Sequence, residues 1–325
     1  MMKTKFFFLA MAVMTAFCTT ACSSDDDDNN GGNGGNSGKS AIVTPKHVDD
    51  ACRITPTEPI DIGKGYKVID LEMGESGRSH VILTDPQGET RAVNGNYTCS
   101  DGVYRIKGKT VDAVVELKPR TRSEEGVNML ISVTLTIDGK TWSYETDIDG
   151  GVSAMKVIAA SKGGDGDIIS SWKVRTKTSD ERPAGLLIDL KGDVNLFKTF
   201  SGGDLRNIRN EAEKQGAEFT DSERKDFEKT LTYVTFSKSY LTLDYDDGTS
   251  DCGTWNWAGS EAKKFNMKML SKDMGNKFII TNTTGGIEFD KASGFLNVTL
   301  NADITGNKNY KATLTIQLEQ APDVK

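Results

Sequence analysis

The feature that most constrains this chain is a pair of long alternating stretches near its C-terminus. Leu296, Val298, Leu300, Ala302 and Ile304 alternate with Asn297, Thr299, Asn301 and Asp303. Tyr310, Ala312, Leu314, Ile316 and Leu318 alternate with Lys311, Thr313, Thr315, Gln317 and Glu319. A period of two places the apolar side chains on one face of a strand, so each stretch predicts a strand with one dry and one wet face. Both are long compared with the roughly five or six residues of an ordinary strand. Long antiparallel strands in succession favour a barrel or a strongly coiled sheet, because curling encloses the dry face and protects the edges.

The same pattern recurs upstream. Tyr233 to Ser237 and Leu241 to Tyr245 read as strands; Phe265, Met267 and Met269 share one face, as do Phe278 and Ile280. Nearer the N-terminus, Met129, Ile131, Val133, Leu135 and Ile137 alternate before the turn dipeptide Asp138-Gly139, with Trp142 and Tyr144 on the return. Tyr66 to Met73, Ser79 to Thr84 and Val111 to Leu117 complete a helix-poor antiparallel region. Three glycines in four positions, Gly163, Gly164 and Gly166, separate the two patterned regions. The chain is therefore expected to be mainly β with two antiparallel domains: a β-sandwich-like unit over 48–160 and a barrel-like unit over 165–325. The halves share a local pattern. A turn (Asp85-Pro86-Gln87-Gly88, or Asp246-Asp247-Gly248) precedes a strand opening Gly-x-aromatic at Gly95-Asn96-Tyr97 and Gly253-Thr254-Trp255. An internal duplication and ordinary hairpin grammar explain this equally well.

Two helices are expected near 204–231. Asp204 to Gln215 sets Leu205, Ile208 and Ala212 on one face. Thr220 and Glu223 have capping-box spacing for a second helix, with Phe227 and Leu231 inward.

The N-terminus carries targeting information rather than fold. Lys3 and Lys5 precede an apolar run from Phe6 to Phe17, too short for a spanning helix, which needs about 20 residues. Thr19, Thr20 and Ala21 lead into Cys22, followed by the polar leash SSDDDDNNGGNGGNSGKS. Such a leash has no apolar side chains to bury and acts as a tether. Residues 1–21 read as a signal peptide and 22–47 as the modified cysteine and linker. This resembles the lipobox of bacterial lipoproteins, whose cleavage just before the cysteine leaves it diacylglyceryl-modified and N-acylated. The resemblance implies a membrane partner through the lipid anchor at Cys22. Ser23, Ser24 and Asp25 to Asp28 resemble the surface-export signal of Bacteroides-type lipoproteins, which implies an outer-membrane, surface-exposed location.

Trp172, the two expected helices, YVTFSKSYLTLDYDDG and CGTWNW together resemble the lipocalin-like domains of such lipoproteins, with matches at Val234 to Ser237, Leu241 to Leu243 and Gly253 to Trp255. The resemblance implies a lipocalin-like barrel or coiled sheet; helices between the first strands leave open a lipid-binding fold of the bactericidal/permeability-increasing type.

Chemistry is sparse. A formal charge of −7 gives no basic footprint for nucleic acid. Two histidines disfavour histidine-based catalysis and zinc sites. No GxSxG, HExxH, Walker A or pre-helical GxGxxG motif occurs. His47 and His80 read as surface histidines, Glu124-Glu125 and Asp246-Asp247 as solvated loop residues, and Gly202-Gly203 as a flexible loop rather than an anion site. Cys52, Cys99 and Cys252 are odd in number and imply separate thiols more readily than a Cys52–Cys99 bridge. No catalytic residue, cofactor or metal is expected. Trp255 and Trp257 lie two apart and share a strand face. They are the candidate ligand-binding residues, for a lipid or other amphiphile, or for a glycan, with core packing as the alternative. The expected function is non-enzymatic binding by an anchored surface lipoprotein. The alternatives are a glycan-binding accessory lipoprotein and a structural or adhesive surface protein.

Overall fold

The computed structural model describes residues 52–54, 56, 58–74, 77–86, 88, 90–119, 129–137, 139–148, 152–154, 171–176, 185–192, 196–214, 219, 221–236, 240–258, 263–269, 279–290, 294–305 and 309–321. The signal, Cys22, the leash, His47, the glycine-rich boundary, Glu124-Glu125 and Phe278 lie outside these residues.

The protein is mainly β and antiparallel. Its second half contains ten strands: β11 (Ser171–Val174), β12 (Gly185–Gly192), β13 (Leu196–Ser201), β14 (Leu231–Phe236), β15 (Tyr240–Tyr245), β16 (Thr249–Trp257), β17 (Lys264–Met269), β18 (Ile279–Asp290), β19 (Phe295–Thr305) and β20 (Asn309–Gln320). β14 to β20 pair in sequence, and β11 pairs with both β20 and β14, closing an eight-stranded ring. The barrel has eight positions rather than ten because two of them are split. β11 and β12 lie end to end along β20, with Trp172 opposite Gln320 and Gly192 opposite Tyr310. β13 and β14 lie end to end along that composite strand, with Leu196 opposite Leu190 and Thr235 opposite Ser171. The first position is interrupted between Val174 and Gly185, and the second between Ser201 and Leu231. This up-and-down closure is the lipocalin-like arrangement.

Glycines permit the split. A Cβ at Gly185, where φ is +111°, would lie 2.3 Å from Phe200 O, and one at Gly203 would lie 1.9 Å from Leu231 O. Gly203 O accepts from Leu231 N at 2.9 Å. The Gly202-Gly203 pair is therefore a close backbone crossing, not a loose loop. Asp204 caps α1 (Leu205–Lys214), accepting from Arg206 N at 3.0 Å, and Leu205 and Ile208 enter the barrel core. α2 (Asp221–Asp226) is shorter than its pattern predicts. Phe227 packs inward just after it, but Leu231 begins β14 instead of continuing the helix. The carbonyl of Gly203 and the side chain of Asp246, which accepts from Thr230 N at 2.8 Å, capture the backbone there into the sheet.

The first half contains β1 (Cys52–Ile54), β2 (Ile60–Asp61), β3 (Lys67–Met73), β4 (Arg78–Thr84), β5 (Thr90–Ser100), β6 (Val103–Gly108), β7 (Val111–Pro119), β8 (Met129–Ile137), β9 (Lys140–Ile148) and β10 (Val152–Ala154). Strands β3 to β9 form one continuous meander. β1 and β2 lie end to end on β3, and β10, three residues after β9, pairs with β1. The sheet thus curls back on itself around Tyr97, Tyr104, Val115 and Leu135. The β-sandwich-like expectation pictured two sheets; among the described residues of this half, β3 to β9 pair without a break as one meander. β1 and β5 are three strand steps apart, about 14 Å at 4.8 Å per step. Cys52 and Cys99 therefore lie beyond disulfide reach, which ends near 7 Å between Cα atoms.

The halves join through equivalent strands. In β5, Gly95 to Ser100 pair with β6, while Ala92 and Val93 pair with β16. In β16, Gly253 to Trp257 pair with β17, while Thr249 and Ser250 pair with β5. Each strand covers the uncovered edge of the other. The glycine of each Gly-x-aromatic triplet stands where the partner changes from the sister half to its own half. The shared sequence pattern therefore marks a shared architectural junction, and Tyr97 and Trp255 both turn into their own interiors.

Candidate functional site

Two regions gather side chains whose chemistry exceeds simple packing. The first is one end of the barrel, where β11 starts, β20 finishes and the β14–β15, β16–β17 and β18–β19 connections lie. β16 presents Trp255 and Trp257 inward, and their ring centroids are 5.1 Å apart with planes at 85°. Phe236 from β14 meets Trp255 edge-on at 5.3 Å, and Phe265 from β17 meets Phe236 at 5.8 Å and Trp255 at 6.0 Å. Trp172 and Phe289 form a further edge-on pair at 6.0 Å. Such tilted contacts suit the aromatic quadrupole. Phe265 reaches the centre because its cross-strand partner is Gly285, where an added Cβ would fall 1.9 Å from the ring.

Burial is graded along this cluster. Phe236 and Phe265 are fully buried, whereas Trp255, Trp257 and Phe289 are partly exposed although they pack on the core. Trp255 and Trp257 therefore serve both readings offered by the sequence: they complete the core from one side and face outward from the other. Phe236 and Phe289 belong to the cluster but were not singled out by sequence, because a lone aromatic in an alternating strand carries no signal of its neighbours.

The second region is the seam between the halves. His80, read from sequence as a surface residue, is only 2% exposed. The correction has a simple cause: β4 packs against the outer face of β15, and that face is covered by protein instead of water. His80 Nε2 lies 2.8 Å from Asp244 Oδ1 and 3.1 Å from Thr242 Oγ1. Ser250 donates to Asp244 Oδ1 at 2.8 Å and Thr235 to Oδ2 at 3.3 Å. Asn94 of the first half donates to Ser250 Oγ at 2.9 Å and to Thr249 O at 2.8 Å. Burial acts to push the His80 imidazolium down, but the Asp244 charge and hydrogen bond, with Glu72 adding to them, outweigh it and raise its pKa. Burial likewise acts to raise Asp244, and the His80 charge and bond, joined by Ser250, lower it instead. Both directions describe a charged pair, His80 protonated and Asp244 ionised.

A second polar contact lies beside it. Arg53 donates to Asp70 Oδ2 at 2.5 Å, and Tyr240 donates to the same oxygen at 3.1 Å. Burial, then the Asp70 charge, push the Tyr240 phenol well above its ordinary value. Ile82, Ala92, Tyr240 and Cys252 form a small dry core there. Burial also raises the Cys252 thiol well above its usual range, the opposite of an activated nucleophile. With His80, Asp244, Ser250 and Asn94 on one side and Arg53, Asp70 and Tyr240 on the other, these contacts join the first half to the second.

Asp246 and Asp247 bond to Thr230 N and Thr249 N as hairpin-turn residues. Among the described residues, no group of three or more His, Cys, Asp or Glu side chains could hold a metal ion, and no helix is long and apolar enough to cross a membrane. Comparison with protein-family models, curated proteins and solved structures gave no match.

Proposed function

We propose that this chain is a lipid-anchored surface lipoprotein whose second barrel binds a small apolar or amphipathic molecule without transforming it. The observation that carries the reading is the graded aromatic end, where Trp255, Trp257 and Phe289 remain partly open above an otherwise dry barrel. Partly exposed aromatic rings continuous with an apolar core suit the apolar part of a ligand. The rings of Trp255 and Trp257 stand at 85°, so they offer no common plane on which a sugar could stack across both. That geometry favours the amphiphile over the glycan. The anchor rests on the Thr19-Thr20-Ala21-Cys22 motif and the acidic leash.

Mass spectrometry of an organic extract of the purified protein tests the binding reading, with a stoichiometric apolar molecule as the expected result. An empty protein that also fails to take up a fluorescent amphiphile would overturn it. Metabolic labelling with an alkyne fatty acid tests the anchor: Cys22→Ala is expected to abolish labelling, and unchanged labelling refutes the assignment.

A further inference from the structure

The two halves have separate cores, and the apolar cluster between them is small: Ile82 and Ala92 from the first, Tyr240 and Cys252 from the second, with Ile69 packed against them. Backbone pairing across the seam is equally short. Val93 pairs with Thr249 and Ala92 with Ser250, and Asn94 N donates to Gly248 O at 3.0 Å. The rest of the joint is polar. Register places Arg53, Glu72, His80 and Asn94 side by side across β1, β3, β4 and β5. This row meets Tyr240, Thr242 and Asp244, alternate residues of β15, through Arg53, which lies 3.4 Å from the Tyr240 hydroxyl, and through His80.

The charges of this joint are buried. Asp70, Glu72 and Asp244 are each 1% exposed. The cations among them are Arg53, paired with Asp70, His80, paired with Asp244, and Arg78, whose guanidinium lies 3.2 Å from the centroid of the Tyr233 ring. Tyr240 and Cys252, both pushed above their ordinary values by burial, add no charge. Asp251 belongs to the other face of β16, where Tyr245 donates to it at 2.5 Å. Three carboxylates thus meet two guanidinium groups and one imidazole, and with all three ionised the count balances only while His80 holds its proton. Loss of that proton leaves a buried negative charge without compensation, which is strongly unfavourable. The small apolar cluster offers little resistance to the separation that would hydrate it.

We propose that the seam is a proton-operated joint: protonated His80 latches the two halves, and its deprotonation lets β4 and β15 part while each half keeps its own fold. The raised folded value of His80 places release on the alkaline side of its ordinary titration.

Cys252 reports the state of the joint, because it lies in the seam at 0% exposure, whereas Cys99 belongs to the core of the first half. The test is iodoacetamide labelling of the full chain carrying Cys22→Ala, mapped to each cysteine by mass spectrometry between pH 6 and 9. Each rate is divided by that of the denatured chain at the same pH. Cys252 labelling is expected to rise about tenfold, the change a single linked proton produces over one pH unit, and to fall again on return to pH 6. Cys99 should stay protected throughout. Histidine NMR separates the titration of His80 from that of His47, the other histidine, and its midpoint should coincide with that of Cys252 exposure. Cys252 protected at every pH would overturn the joint. Cys252 and Cys99 exposed together would also overturn it, since the halves would then be unfolding. An exposure midpoint more than about one pH unit from the His80 titration would remove His80 as the latch.

Discussion

The two halves solve one topological problem with different interiors. Each is an eight-position antiparallel meander that returns to its first strand, and each offers half of its fourth strand to the other. The first half fills its centre with Tyr97, Tyr104 and aliphatic side chains, and Trp142 lies against Gly63 where its last strand approaches its first. The second half splits two strand positions, inserts helices through the gap and leaves indole rings partly open at one end. An unbroken meander can be packed to uniform dryness, whereas the split barrel adds Leu205, Ile208 and Phe227 of the helical segment to its core and leaves Trp255, Trp257 and Phe289 only partly covered.

If the seam makes the two halves one object, breaking it should give the largest effect. Asp244→Ala leaves His80 buried without its counter-ion and removes the acceptor for Ser250 and Thr235. The expected loss is about 3 kcal/mol, in the range for removing one partner of a buried pair. Denaturant unfolding followed by intrinsic fluorescence should change from one transition to two. A single transition with an unchanged midpoint would mean that the halves are joined by other contacts.

A substitution inside the second barrel should distinguish the halves more sharply. Gly285→Ala forces the Phe265 ring away from its seat, and overpacking of this kind costs about 2 kcal/mol. Because Phe265 contacts Phe236 and Trp255, the indole emission should shift, and amphiphile binding should weaken with it. The environment of Tyr97 and Tyr104 should be unaffected. A smaller effect, about 1 kcal/mol, is expected for Asp204→Ala, which removes the α1 cap. Amide hydrogen exchange should then accelerate in α1 and remain unchanged in β3 to β9.

Much of this fold is legible in the sequence. Alternation at Leu296 to Ile304 and Tyr310 to Leu318 predicts the wall of the barrel, and Asp204 with Leu205 and Ile208 predicts the first helix. What the alternation conceals is the covering of the outer face. In β15, Leu241, Leu243 and Tyr245 are the expected dry positions, yet Tyr240, Thr242 and Asp244 between them are buried too. Polarity at alternate positions signals distance from the local core; it carries no information about a second domain laid over the wet side. The same limit hides His80. Trp255 and Trp257 are legible as a same-face pair, but their neighbours Phe236, Phe265 and Phe289 come from other strands and become a cluster only when the barrel closes.

The seam and the aromatic end should also separate in their response to pH. His80 has a folded pKa above its ordinary value of 6.5, so its contribution is complete below about 6.5 and is lost as pH rises through the raised folded value. Asp244 is depressed below 3.8, so its contribution is complete above about 4 and is lost as pH falls through the depressed value. The seam should therefore be firmest between about pH 4 and 6.5. The groups that set the position of the alkaline loss are Asp244 and Glu72, which favour the imidazolium, and Arg78, which opposes it. His80→Gln keeps a hydrogen-bonding side chain without the titration. It should lower stability modestly at pH 6 and flatten the decline above it, whereas Trp257→Ala, far from any of these charges, should leave the profile's shape unchanged. Unfolding midpoints measured across pH 5 to 9 for the three proteins decide the matter. A wild-type profile that falls as steeply after His80→Gln would place the alkaline sensitivity somewhere other than the seam.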